Sequence, residues 1–211
     1  MDYNVNIKTS FIAEKAFKDN QSIREIEIKD VSVISENSFE GCKALECVVL
    51  GDGIAEIKGH AFCNCTGLRN LEFGNDIVVI GNWAFYKCVS LEKVVIPPSV
   101  DVIRGYAFYD CSALKKVVLN EGIETISNCA FSDCSSLREI VIPHSVSYIG
   151  TAFTSCLCLR KVYYAGTKEE WDNIKGDKSI CDATLYYYSK EKPQEIGNYW
   201  HYVDGNSKAW E

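Results

Sequence analysis

A solenoid of stacked turns, each giving one parallel β-strand to a common face, is the architecture this 211-residue sequence predicts. Three observations predict it. The pair Ala-Phe (once Ser-Phe) recurs at Phe17, Phe39, Phe62, Phe85, Phe108, Phe131 and Phe153, always 22 or 23 residues apart. A fixed period in the twenties is the mark of a leucine-rich-repeat array with one strand per turn. Around each Phe one skeleton returns, I…A-F-x-x-C-x-x-L-x-x-V-x-I, seen whole in residues 80–97. In its last part Val94 and Ile96 alternate with Lys93 and Val95, the period of a strand with one buried face. The expected fold is a right-handed leucine-rich-repeat solenoid of seven anchored turns. Parallel strands form one face, short strands and helical turns the other, and a helix and β-hairpin follow at the C-terminus.

Residues 1–28 read as an N-terminal capping repeat. Val5 and Ile7 mimic the strand, Phe11 and Ile12 lead to Ala16-Phe17, and Asn20 takes the cysteine slot; terminal repeats are expected to be atypical. Residues 29–164 are the array. Pro97, Pro98 and Pro143 end their strands, because proline has no N–H to continue a ladder. Pairs such as Val100 and Ile103, or Ile123 and Ile126, predict a second short strand on the opposite side, and Gly59, Gly81 and Gly105 turn the chain before the Phe. The A-F-x-x-C-x-x-L piece is too short for a free helix and reads as one helical turn held by stacking. Residues 165–188 form a helix-strand cap. Thr167 and Glu170 make a T-x-x-E capping box, Trp171 and Ile174 follow at i, i+3, and residues 183–188 supply a closing strand. Residues 189–211 read as an aromatic hairpin about Asp204-Gly205. An isolated hairpin is marginal in water, so it must dock on the solenoid, on a copy of itself or on a partner.

Composition excludes several functions. A net charge of −7 argues against a nucleic-acid partner, which needs clustered Lys and Arg. There is no run of 18 apolar residues, and thus no expected membrane insertion. The first eight residues have no basic stretch followed by an apolar one, so no secretory signal is read there. Of eleven cysteines, Cys42, Cys65, Cys88, Cys111, Cys134 and Cys156 each fall three residues after an anchor Phe. They are one repeat position, expected as a buried ladder of free thiols. That many thiols favours the reducing cytoplasm as the localisation.

No catalytic, metal or cofactor constellation emerges. Cys63 with Cys65 and Cys156 with Cys158 are C-x-C pairs, but His60, His144 and His201 are scattered, and metal ligands must converge. The positions left free by the repeat lie on the outward side of the strands. Val95, Val118, Val141 and Tyr163 make one column, which is either an apolar stripe for a partner or plain strand-forming valine. Lys93, Lys116, Glu139 and Lys161 run beside it, either setting partner choice or forming a solvated face. Trp83 and Tyr106, each just before the anchor Ala, make either an aromatic contact patch or a mutually packed stiffener. The resulting expectation is a non-catalytic module binding a protein of unknown identity through its strand-side face. The alternative is a structural component that forms a homo-oligomer through the solenoid edges or the aromatic tail.

With anchors, cysteine ladder and L-x-x-V-x-I-P strands together, residues 11–188 resemble the BspA-like leucine-rich repeat family. The stretch from Leu91 through Pro98, Val100, Ile103 and Ala107-Phe108 to Cys111 is very close to its motif. Asn20 for Cys, Ser38 for Ala and the short run Tyr148-Ile149-Gly150-Thr151 depart from it. The resemblance implies a solenoid without enzymatic activity and a role in adhesion, often at a cell surface or after secretion.

Overall fold

The computed structural model describes residues 3–8, in backbone only, together with 11–194 and 197–210. In chain order the first elements are β1 (Tyr3–Lys8), β2 (Ile23–Lys29), β3 (Val33–Ile34), β4 (Cys47–Leu50), β5 (Glu56–Ile57) and β6 (Asn70–Glu72). There follow β7 (Val79–Ile80), β8 (Lys93–Ile96), β9 (Val102–Ile103), β10 (Lys116–Leu119), β11 (Thr125–Ile126) and β12 (Glu139–Ile142). The last are β13 (Tyr148–Ile149), β14 (Lys161–Tyr164), α1 (Lys168–Asn173), β15 (Thr184–Tyr188), β16 (Tyr199–Val203) and β17 (Asn206–Ala209). The chain is a β-solenoid with parallel strands, as the repeat predicts. Short strands stack into one six-stranded sheet, β13-β11-β9-β7-β5-β3, and the long strands form the opposite wall.

Packing follows the repeat position by position. The rings of Phe17, Phe39, Phe62, Phe85, Phe108, Phe131 and Phe153 form one continuous stack with centroids 5.0–5.9 Å apart and planes within 8°. Inward Leu, Val and Ile of every turn join them in one core. Such a core exists only because the turns stack, since no single turn encloses its own apolar groups.

The turn joining the two walls corrects one expectation. It is not helical. Backbone N–H groups of Cys88 and Leu91 do reach back three residues, to Phe85 (3.2 Å) and Cys88 (3.1 Å), but left-handed residues interrupt the run. Asn37, His60, Trp83, Tyr106 and Cys129 before the Ala (Ser38 after Asn37), and Asn64, Lys87, Asp110 and Asp133 before the Cys, have φ of 55–59°. This aims their N–H groups along the solenoid. Trp83 donates to Gly105 (3.1 Å), Phe85 to Ala107 (2.8 Å) and Lys87 to Tyr109 (2.9 Å). A third ladder thus runs beside the two sheets and satisfies the backbone of the turn. The copy that is one residue short before Ala152 lacks the first left-handed residue, as Thr151 has no positive φ. The glycine before the turn serves close approach: a Cβ on Gly81 would lie 2.6 Å from the Ile57 carbonyl oxygen.

The long-strand wall is in two parts, β1-β2-β4-β6 and β8-β10-β12-β14-β15-β16-β17, with no ladder between β6 and β8. Pro97 removes one bond at the gap. It has no N–H for the Phe73 carbonyl, the bond that Gly51 makes to Ile28 and Ala165 to Ile142, both at 2.9 Å. Phe73 stands where β2, β4, β8, β10 and β12 place Ile or Leu. Its ring is half-buried and turned edge-on to Phe85 at 5.8 Å. The Ser99 hydroxyl nearby is buried without a partner, whereas Ser145 two turns on donates to Ile123 at 2.9 Å. Pro143 shortens the β10–β12 ladder to two residue pairs by the same loss.

At the C-terminus the capping box is present, with Thr167 Oγ1 accepting from the Glu170 N–H (3.3 Å) and the Glu170 carboxylate from the Thr167 N–H (2.8 Å). Trp171 meets Tyr164 edge-on at 5.3 Å and, with Ile174, covers the last turn. β15 joins β14 in parallel, but it does not close the sheet. β16 pairs with its end, and β17 folds back on β16 about Asp204 and Gly205, at φ 49° and 75°. Both left-handed angles are what a two-residue Asp-Gly turn requires.

Candidate interaction face

Alternation along the long strands places Val48, Leu71, Val94, Val117, Ile140 and Val162 inward, all buried. The intervening residues therefore point out. In the column Val49, Glu72, Val95, Val118, Val141, the parallel registers stack each on the next within each part of the wall. Val95 is 41 % exposed, and Val118 and Val141 are half-buried. The last expected member does not belong with them: Tyr163 is 2 % exposed.

Its burial is the work of the tail. Trp200 lies over Tyr163 with centroids 5.3 Å apart, is fully buried, and donates its indole N–H to the Tyr164 carbonyl at 2.7 Å. Tyr186 packs on Tyr163 from β15 at 5.3 Å. The hairpin then carries Tyr202, Gly205, Asn206 and Ser207 over the outward side of β10 and β12. Between them and Lys116, Val118, Glu139 and Val141 is a cleft of about 390 Å³. A second groove, of about 520 Å³, marks the split in the wall and is lined by Asn70, Glu72, Phe73, Lys93, Val95 and Pro97. Val95 thus stands between two depressions.

Charge on this face is segregated. Before the split, Arg24, Lys29 and Arg69 are outnumbered by Glu25, Glu27, Glu46 and Glu72, and Lys29 pairs with Glu27 at 2.6 Å. After it, Lys93, Lys115, Lys116, Arg138, Arg160 and Lys161 are met by Glu92 and Glu139 alone, and all eight are exposed. Arg24 pairs with Glu46 (2.6 Å) and Lys115 with Glu92 (2.9 Å). Among the described residues Arg138 and Arg160 have no carboxylate within 4.0 Å, and Arg160 Nη1 donates to the Leu157 carbonyl at 2.8 Å.

The turn side carries an aromatic ladder. His60, Trp83 and Tyr106 stack at 5.1 Å spacings, Tyr86 and Tyr109 stack beside them at 5.5 Å, and Tyr106 meets Tyr109 at 5.5 Å. Bulky side chains at positive φ cost on the order of 1–3 kcal/mol each, which stacking worth about 0.5–1.5 kcal/mol per pair partly offsets. The rings face one another along the solenoid, and Trp83 and Tyr106 are half-buried. Tyr86 and Tyr109 extend the pair singled out above; both directly follow an anchor Phe, a signal legible in the sequence.

The cysteine ladder is a hydrogen-bonded one. Each thiol donates to the Phe carbonyl of the preceding turn, from Cys42 to Phe17 (3.0 Å) through Cys65, Cys88, Cys111 and Cys134 to Cys156 on Phe131 (3.1 Å). Cys181, outside the repeat, completes it on Phe153 at 3.0 Å. Burial pushes the thiols of Cys65, Cys88, Cys111 and Cys134 well up, and that of Cys156 up to about 12. They are scaffold, not nucleophiles. Histidine 144 meets Glu170 at 3.1 Å, where the pair ties the sixth turn to the cap helix. Among the described residues no group of three His, Cys, Asp or Glu side chains is placed to hold a metal ion.

Comparison with known proteins places this geometry. The family described as "BspA type Leucine rich repeat region" matches in six copies, over residues 3–115 and 32–160. No curated protein matches the chain. A leucine-rich repeat protein from Bacteroides ovatus superposes with a TM-score of 0.72 at 26 % identity, covering 89 % of this chain and 51 % of its own. The present chain therefore spans about half the length of that protein. The T. pallidum leucine-rich repeat protein superposes with a TM-score of 0.70 at 28 % identity, covering 85 % of this chain and 87 % of its own.

Proposed function

The chain belongs to the BspA-type leucine-rich repeat family, and from that premise we propose that it is a non-catalytic, adhesin-like module whose strand-side face engages another protein. The observation that carries this reading is Val95, an exposed apolar side chain flanked by Lys93 and two grooves on a face whose inward positions are all given to the core. Exposed apolar area ringed by charge is the pattern of an interaction surface. Tyr163 is withdrawn from the stripe and Val118 and Val141 are overhung, so the accessible centre is Val95 with Lys93, Lys116, Glu139 and Lys161. Trp83 and Tyr106 act as stiffening. Assembly into a homo-oligomer through the aromatic tail draws less support, because Trp200 is already packed on the chain's own Tyr163.

Val95→Asp tests the reading. On the full chain, used to capture proteins from its native source, the substitution should abolish retention of whatever the parent retains. The melting temperature should hardly move, since exposed substitutions stay within about 0.5 kcal/mol. Capture that survives Val95→Asp but is lost with Trp83→Ala would overturn the face.

A further inference from the structure

We propose that the basic half of this face takes an extended acidic peptide segment, laid across β8, β10 and β12 and passing beneath the tail hairpin. The inference rests on the strand-side reading above and names the chemistry of its partner.

Charge is the first argument. A chain of net charge −7 gathers six of its 22 cations on the outward side of four adjacent turns. Alternation of sign down the column Arg24, Glu46, Arg69, Glu92, Lys115 lets Arg24 meet Glu46 and Lys115 meet Glu92, and it ends where Arg138 and Arg160 follow Lys115. Arg138 and Arg160 line one hollow with Lys161, Cys158 and Glu139, and among the described residues neither guanidinium has a carboxylate within 4.0 Å. Guanidinium forks match carboxylates in two-pronged geometry, so these two select anions by shape as well as by sign. Glu139, within the basic field, disfavours an acidic side chain directly opposite it and so helps fix register.

Shape is the second. The roofed cleft of about 390 Å³ has valine on its floor and the start of β17 in its roof. That space suits a single extended strand. β17 is the terminal strand of its sheet, so its outer edge offers unpaired N–H and C=O groups of the kind an added strand uses. A sulfated glycan would meet the cations but leave the valines and the strand edge without partners.

Fluorescence anisotropy with the full chain tests the proposal. The probe is a labelled ten-residue peptide of alternating Glu and Val, compared with its Lys-Val counterpart and with heparin. The Glu-Val peptide should bind and the Lys-Val peptide should not, and affinity should fall as salt rises. The double reversal Arg138→Glu/Arg160→Glu should weaken binding at least tenfold, while Arg24→Glu/Arg69→Glu changes it less than twofold. Equal binding of both peptides, or indifference to the 138/160 reversal, would overturn the proposal. So would heparin binding without peptide binding, or a dimer in light scattering that the 138/160 reversal dissolves while the peptide stays unbound. If the peptide fails to bind but Val95→Asp still abolishes capture, the acidic partner is wrong and the face stands. If neither peptide nor capture responds to Val95→Asp, the face itself is wrong.

Discussion

Phe108→Ala should destabilise the chain by about 3–5 kcal/mol and make its unfolding visibly less cooperative. Phe108 is fully buried between Phe85 (5.1 Å) and Phe131 (5.3 Å), so the substitution opens a cavity and removes two stacked contacts at once. The backbone cannot close over the void. Phe108 donates its N–H to Ala130 (2.8 Å) and accepts from the Cys134 thiol (3.3 Å), bonds that hold adjacent turns at fixed spacing. In a one-dimensional array, stability is a sum of turn and interface terms, so weakening a central interface uncouples the two halves. Thermal unfolding should shift down and broaden, or divide into two steps. Phe17→Ala should cost clearly less, as Phe17 is only partly buried and has one stacked neighbour. Equal losses at the two sites would argue against a continuous core.

Alkaline pH should unfold the protein near pH 10, through the thiol ladder. Unfolded cysteines ionise near pH 8.5. Folded, the buried thiols of Cys65, Cys88, Cys111, Cys134 and Cys156 stay protonated to higher pH, that of Cys156 to about 12. The stabilisation is complete below the unfolded value and is lost as pH climbs from there towards the folded ones, because the unfolded chain releases protons that the folded chain keeps. Each thiol removes about 1.4 kcal/mol per pH unit once well above pH 8.5. Five together remove on the order of 10 kcal/mol by pH 10, as much as a typical domain has. Urea midpoints measured from pH 7 to 10 should fall steeply. Replacing Cys88, Cys111 and Cys134 by Ala should lower stability at pH 7 yet flatten that fall by more than half. A flat profile in the parent would contradict the assignment of these groups as buried, hydrogen-bonded thiols.

What could be read in advance follows from range along the chain. Phe85, Cys88, Leu91, Val94 and Ile96 were legible because each recurs in register, and stacking then dictates that all face inward. Val95 was legible as outward by alternation alone. Tyr163 was not. It continues the same column, and Tyr186 and Trp200, 23 and 37 residues on, bury it. Nor did the repeat announce Cys181, which reaches its Phe from outside the period, 28 residues later instead of the 25 or 26 of the ladder. The A-F-x-x-C-x-x-L turn looked helical since its residues are spaced by three. Left-handed Trp83 and Lys87 break that helix, and neither is a residue type that favours positive φ. The split at Pro97 was half legible: proline must end the strand, but the edge-on packing of Phe73 on Phe85 beside it is a tertiary effect.

The central claim is that specificity resides on the outward strand face after the split, and backbone NMR of the full chain titrated with the Glu-Val peptide tests it most directly. Amide shifts should concentrate at Lys93, Val95, Lys116, Val118, Arg138, Arg160 and Ser207, with His60, Trp83 and Tyr106 unmoved. Shifts concentrated on the His60–Trp83–Tyr106 ladder instead, with the strand face silent, would contradict it.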